Sequence, residues 1–300
     1  MTALLLRPPS PALTLRLKEP LSERLDGSLL DPARMAGWSR SEIEQLSVGT
    51  GRRRRSLGEF FEVIGDPCSQ VVLHGELALM DRLGARMTGG QLTVMGEIGD
   101  DCGLEMAGGV LEVFGNGGDH VAAGMKRGTL IVHGSVGDFL AGPSVGQTRG
   151  MRGGNCIVLG NAGHRVGERL RRGIVMIQGR CGDFGGVQMI AGTLAVFNGI
   201  GQHWGTGMRR GTIILTQPQP LAFDAELTPA REFELSFLPL LWKHLAQTVS
   251  DVQWKMPASR WAFRQLGDRA NGGMGEVLVL SRQNSPTSTF HRGFDLVKPD

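Results

Sequence analysis

A repeat of 19 residues governs what this chain can fold into. The segments Met87–Gly96, Met106–Gly115, Met125–Gly134, Met151–Gly160, Leu170–Gly179, Met189–Asn198 and the one opening at Met208 share a single pattern. Their first residues step by 19, apart from one step of 26 that carries a seven-residue insertion. A second glycine series (Gly99, Gly118, Gly137, Gly163, Gly182, Gly201) keeps the same register. Self-similarity at a fixed short period marks stacked structural units, each too small to bury a core alone. It also explains the 46 glycines in 300 residues, about twice the ordinary share.

Each copy holds a short alternating stretch, such as Leu92-x-Val94 or Leu111-x-Val113, flanked by glycines. Alternation puts those side chains on one face of a strand. The rest of the copy is too glycine-rich for a helix. One strand and several turns in 19 residues fit one coil of a β-solenoid. The inward ladders are predicted at 92, 111, 130, 156, 175, 194 and 213, and at 94, 113, 132, 158, 177, 196 and 215. The Met87–Met208 series is predicted as a further internal ladder, because methionine fills irregular gaps. Coils spaced by about 4.8 Å give a core roughly 34 Å long. Residues 57–84 read as one or two degenerate coils (Phe61-x-Val63; Val71–Gly75). The expected division is a non-repetitive segment 1–56, a solenoid 57–216, and a capping or interface segment 217–300. Small helices are expected near Asp31–Gly49, with Ser39 or Ser41 at the start, and around Glu232–Val249.

Composition narrows the class. Apolar residues make up 41% and charged residues 20%, so the chain can bury a core and is not of a disordered type. No apolar run approaches the roughly 18 residues a membrane span needs, and the N-terminus lacks the basic start of a secretory signal. Four scattered cysteines with no C-x-x-C exclude a zinc ribbon or disulfide framework and suit a reducing, cytoplasmic setting.

Metal-dependent catalytic patterns are missing: there is no H-E-x-x-H and no H-x-H. The loop Gly115–His120 has the look of a dinucleotide loop but lies inside a repeat with no helix after it. One polar series, Asp100, Asp119, Asp138, His164, Asp183 and Gln202, follows the second glycine. It reads as turn chemistry, each Asp bonding backbone two residues on. His120 and His203 stand four coils apart, roughly 19 Å, too far to share a metal. No catalytic or metal-binding residue is therefore assigned. The candidate site is basic. Lys126, Arg127, Arg152, Arg171, Arg172, Arg209 and Arg210 follow the Met positions and are predicted to line one edge, with Arg52, Arg53, Arg54 and Arg55 clustered at the solenoid's start. Such a ridge attracts a polyanion or an acidic partner. Aromatics are not interleaved with it, so nucleic acid is not expected. Outward strand positions carry Met95, Phe114, Ile131, Ile157, Leu159, Ile174, Met176, Phe197 and Ile214. That apolar face must be covered, by the chain's own ends or by a partner. The insertion Ala141–Gly150 is a natural place for a specific contact.

The run of G-x-x-G-x-x-x-G-x-x-M-x-G-G-x-L-x-V-x-G units resembles the GXGXG repeat family. That family occurs at the end of the large subunit of glutamate synthase and as the C subunit of formylmethanofuran dehydrogenase. The resemblance covers about residues 50–216 and implies a right-handed parallel β-helix. The separate terminal segments and mid-array insertion favour the C-subunit branch, and the Arg-rich composition and long tail look like its bacterial form. Ala122 and Ala141 in place of glycine, Leu170 in place of methionine and the shifted Asn198-Gly199 depart from the pattern. The bacterial form implies a non-catalytic scaffold in a formyltransferase/hydrolase complex. That complex moves formyl from tetrahydromethanopterin to a methanofuran-type carrier and releases formate. The implied partners are amidohydrolase-like and formyltransferase subunits. The implied carriers bear polyglutamate tails, which the basic residues would suit. The other readings are the C subunit of a tungsten- or molybdenum-dependent dehydrogenase, a free-standing glutamate-synthase-type domain, and a self-sufficient hydrolase.

Overall fold

A computed structural model describes residues 12–51, 53, 55–217, 227–248, 257 and 259–281. The chain opens with β1 (Leu13–Leu17), β2 (Leu25–Asp26), α1 (Pro32–Met35), α2 (Arg40–Glu44), α3 (Leu57–Phe60), β3 (Phe61–Ile64), β4 (Gln70–His74) and β5 (Met80–Asp81). The repeats supply β6 (Gln91–Met95), β7 (Val110–Val113), β8 (Thr129–Val132), β9 (Arg152–Val158), β10 (Arg172–Ile177), β11 (Thr193–Val196) and β12 (Arg210–Leu215). The C-terminal part adds β13 (Arg231–Glu234), α4 (Phe237–Thr248), β14 (Trp261–Gly267) and β15 (Met274–Leu280).

The protein is mostly β. Thirteen strands form one sheet in the order β13-β14-β15-β12-β11-β10-β9-β8-β7-β6-β4-β1-β3. From β4 to β12 every neighbour is parallel, and the register threads equivalent repeat positions: Val71, Leu92, Leu111, Leu130, Cys156, Val175, Leu194 and Ile213. A second parallel row links Gly117, Val136, Ala162, Cys181 and Ile200. Strands joined at 19-residue offsets carry hydrogen bonds from each copy to the next, so a copy satisfies its backbone only through its neighbours.

Both predicted inward ladders and the Met series are buried and form one continuous core. Fully burying one such Leu, Val or Met contributes about 1.5–3 kcal/mol, so the array is held by many equal increments. Cys102, Cys156 and Cys181 are part of this core. Burial pushes Cys156 and Cys181 up to about 12, and Cys102 further still, so these thiols stay protonated packing groups.

The ends depart from the sequence reading. Phe61-x-Val63 is not a stacked coil: β3 runs antiparallel to β1, whereas β4 pairs parallel with β1 and β6. The region near residue 39 holds two short helices. Asp31 caps α1 through Ala33 N–H and also accepts from Thr88 N–H and Oγ1. Ser39 caps α2 in a reciprocal box with Glu42. Residues 231–234 are strand, so helix α4 begins only at Phe237; Val249 lies outside the described residues.

The outward apolar face is covered by the chain itself. Ile131, Ile157, Met176, Ala195 and Ile214 pack with Leu238, Trp242 and Leu245 of α4 and with Ala262, Leu278 and Leu280. Phe197 meets Trp242 edge-on at 5.6 Å. Beyond this cover, Phe114 stacks on His133 at 4.2 Å, and His133 Nε2 lies 2.9 Å from Glu112 Oε1.

Candidate interaction site on the turn rows

The turns of successive copies stack into rows as regular as the strands. In the first row, each Asp side chain reaches the next copy. Asp81 Oδ1 accepts from Asp100 N–H at 3.0 Å, Asp100 from Asp119 at 2.9 Å, and Asp119 from Asp138 at 2.8 Å. The row continues with Asp138 accepting from His164 N–H, His164 Nδ1 from Asp183, and Asp183 from Gln202. This corrects the expected bond two residues on: the polar series ties each copy of the repeat to the next. It also explains the second glycine series. A Cβ at Gly118, Gly137, Gly163 or Gly201 would clash with the Asp Oδ1 of the preceding copy. Asn116, Ser135 and Asn161 make a parallel row of the same kind. Arg24 reaches the head of the Asp row, 2.7 Å from Asp81 Oδ1 and 3.4 Å from Asp100 Oδ2.

The residue after each member of that row has a left-handed backbone: Arg82, Asp101, His120, Phe139, Arg165, Phe184 and His203 all show φ between 56° and 61°. This conformation costs a non-glycine residue about 1–2 kcal/mol. Stacking offsets part of it. His120 and Phe139 are parallel at 4.9 Å, as are Phe184 and His203. The Arg165 guanidinium lies over Phe139 at 5.6 Å and over Phe184 at 5.8 Å, held by a 2.8 Å bond to Glu168. His120 and His203 thus share one row, as their equivalent positions imply, but serve as the ends of a stack. The sequence reading missed this row. Its signal was present in the common register of His120, Phe139, Arg165, Phe184 and His203.

The basic residues divide into three groups. Lys126 and Arg152 converge on Glu105, at 3.3 and 3.8 Å, joined by Arg86 at 3.4 Å. Burial works against ionising Glu105, but the Lys126 hydrogen bond and the three cationic charges outweigh it and hold the carboxyl below its ordinary value. Arg152 Nε is buried without a hydrogen-bond partner among the described residues. Arg171, Arg172, Arg209 and Arg210, with Ile190 and Ala191, line an open cleft of about 430 Å³. None of these four arginines, nor the exposed Arg127, forms an ion pair with a described residue. The register sets Arg172 beside Arg152, continuing the edge. The N-terminal cluster is engaged elsewhere: Arg53 and Arg55 pair with Glu23 at 3.3 and 2.9 Å, and Arg55 also with Glu59. Arg52 and Arg54 lie outside the described residues. Among the described residues, no group of three or more His, Cys, Asp or Glu is arranged to hold a metal. None of the helices in that set is long and apolar enough to cross a membrane.

No protein-family model matches the chain. The C subunit of the formyltransferase/hydrolase complex of Methylorubrum extorquens is 38% identical over 86 residues, 29% of this chain and 32% of that protein. The C subunit of the molybdenum-containing formylmethanofuran dehydrogenase 1 of Methanothermobacter wolfeii is 34% identical over 77 residues, 25% of this chain and 19% of that protein. In sequence, therefore, the chain spans at most about a third of these relatives. In structure the match is far more extensive. A solved chain from the formyltransferase/hydrolase complex (FhcABCD) of Methylorubrum extorquens, crystallised with methylofuran, superimposes with a TM-score of 0.80 at 34% identity, covering 90% of this chain and 100% of that one. With that identity over the whole of the solved chain, this protein belongs to the family formed by the C subunits of the formyltransferase/hydrolase complex and of formylmethanofuran dehydrogenase.

Proposed function

We propose that this chain is a non-catalytic scaffold subunit of a cytoplasmic formyltransferase/hydrolase complex. The assembly would move formyl from tetrahydromethanopterin to a methanofuran-type carrier and release formate, a step of formaldehyde oxidation in methylotrophy. The observation that carries this reading is the structural match, over 90% of this chain, to a chain of such a complex. The parallel ladder is read as a right-handed β-solenoid of GXGXG coils over 57–216, with 1–56 and 217–300 as flanking segments. Rigid stacking at a fixed repeat suits holding partners at set distances. Amidohydrolase-like and formyltransferase subunits are the partners this reading requires.

The chemistry of the chain's own groups agrees with a scaffold. Three cysteines are sealed in the core, and each Asp of the row commits one carboxylate oxygen to an inter-copy hydrogen bond. The arginine cleft is the part suited to a ligand. Arg171, Arg172, Arg209 and Arg210 would hold carboxylates of a glutamate-tailed carrier, or of an acidic partner face. Reversing Arg172 and Arg209 to Glu should weaken retention of such a carrier and reduce its salt dependence, with unfolding unchanged. Unchanged retention would remove the cleft from the account. The C subunit of a dehydrogenase is the second reading, supported by the 34% match to that of a molybdenum enzyme.

A further inference from the structure

Within the arginine cleft the positive charge is interrupted at one rung. Ile174 pairs with Thr193 and Thr193 with Thr212, so two residues earlier Arg172, Ala191 and Arg210 fall in line. Arg210 itself pairs with Met274 of β15, whose side chain is 65% exposed. The adjacent line runs Arg171, Ile190, Arg209. Four successive rungs therefore present cation, apolar, cation, apolar. Arg172, Arg209 and Arg210 are exposed and Arg171 is half-exposed, while Ile190 and Ala191 floor the open cleft of about 430 Å³ between the two arginine pairs.

This alternation constrains what fits. Each pair of neighbouring guanidinium groups suits one carboxylate. Rungs lie about 4.8 Å apart, so the two carboxylates must stand about 10 Å apart with an apolar group midway. An extended peptide does not offer this spacing, because acids on one face of a strand recur at about 7 or 13 Å. An α-helix does. Its residues i, i+4, i+7 and i+11 share one face and fall at about 6, 10 and 16 Å along the axis. From this match we propose that the cleft receives an α-helix of a protein partner. Acidic residues at i and i+7 would sit over the two arginine pairs. Apolar residues at i+4 and i+11 would sit over Ile190–Ala191 and over Met274. The inference rests on reading this cleft as a ligand site, and it selects a protein partner over a glutamate tail. A uniformly acidic tail gains nothing from an apolar rung and favours an unbroken line of cations.

The test uses the full chain and three fluorescent peptides, read by anisotropy. The first is an alanine-based helix with Glu at i and i+7 and Leu at i+4 and i+11. The second has the same composition, with Glu at i and i+4 and Leu at i+7 and i+11. The third is an oligoglutamate. The informative variant is Ala191→Arg. It fills the gap with the residue that the copies on either side carry at the same position, Arg172 and Arg210, so the fold accommodates it. Arg171→Gln with Arg210→Gln removes one charge from each pair. The patterned helix should bind more tightly than the shuffled one and lose about fivefold in affinity with either variant, whereas oligoglutamate should bind Ala191→Arg more tightly than wild type. Equal binding of the two helices, or a gain for the patterned helix with Ala191→Arg, would overturn the proposal and leave the cleft to a simple polyanion. Failure of all three peptides to bind would overturn it together with the reading of the cleft as a ligand site.

Discussion

Asp138 shows how a single residue answers to three copies of the repeat. Its backbone N–H donates to Asp119, its Oδ1 accepts from His164, and its carboxylate fills the space that glycine leaves at position 163. Asp138→Asn retains the acceptor and should unfold within about 0.5 kcal/mol of wild type, whereas Asp138→Ala strands the His164 N–H and should cost about 1–2 kcal/mol. Thermal unfolding of the pair distinguishes the two. The presence of this row was legible in the sequence; its bonding was not, because spacing along the chain does not reveal which backbone lies one strand away. Glu105 predicts an effect of acid. Its folded pKa lies below its unfolded one, so its contribution is complete above the ordinary carboxylate range and is lost as pH falls through the lowered folded value. Glu105→Gln should flatten the acid side of the stability–pH profile. The cysteines give a cleaner check: a thiol reagent should label Cys68 in the folded chain and reach Cys102, Cys156 and Cys181 only on unfolding.

Elements differ in how openly the sequence declares them. The strands of the repeats were readable, because alternation and glycine recur in every copy and the Leu/Val ladders can only face one way. The terminal elements were read less well. Nothing in Phe61-x-Val63 distinguishes an antiparallel edge strand from a degenerate coil; the partner β1 decides that, and it lies far away in sequence. The amphipathic stretch after Glu232 was visible, but its first residues extend β14 as β13 instead of starting the helix. Helix α4 is the element whose loss matters most, since it seals Ile131, Ile157, Met176 and Ile214. Leu238→Ala should therefore destabilise by about 2–5 kcal/mol and raise binding of an apolar dye, measurable by denaturant unfolding. Within the array, a side chain at Gly134 would place its Cβ 2.6 Å from the carbonyl oxygen of Gly115. Gly134→Val should thus break the stack locally and cut the yield of folded protein.

At the scale of the molecule, charge is sorted by row. One corner presents carboxylates and rings, and another presents the arginines of the cleft. The recurring Lys/Arg after each Met was visible in the sequence as one basic series. Its division into a Glu105-bound part and a cleft was not, because Glu105 belongs to a different turn position. The N-terminal arginines, read as part of the same feature, are tied to Glu23 and Glu59 where they are described. A rigid array with two contrasting edges and its apolar face closed by its own helix is the form expected of a subunit that organises others. The measurement that bears most directly on this is affinity isolation of the chain from its native cells, with mass spectrometry of the partners and a formyl-carrier hydrolysis assay. Recovery with amidohydrolase-like and formyltransferase subunits, with activity in the assembly and none in the isolated chain, is the predicted result. A solitary chain that hydrolyses the formyl carrier by itself would contradict the account.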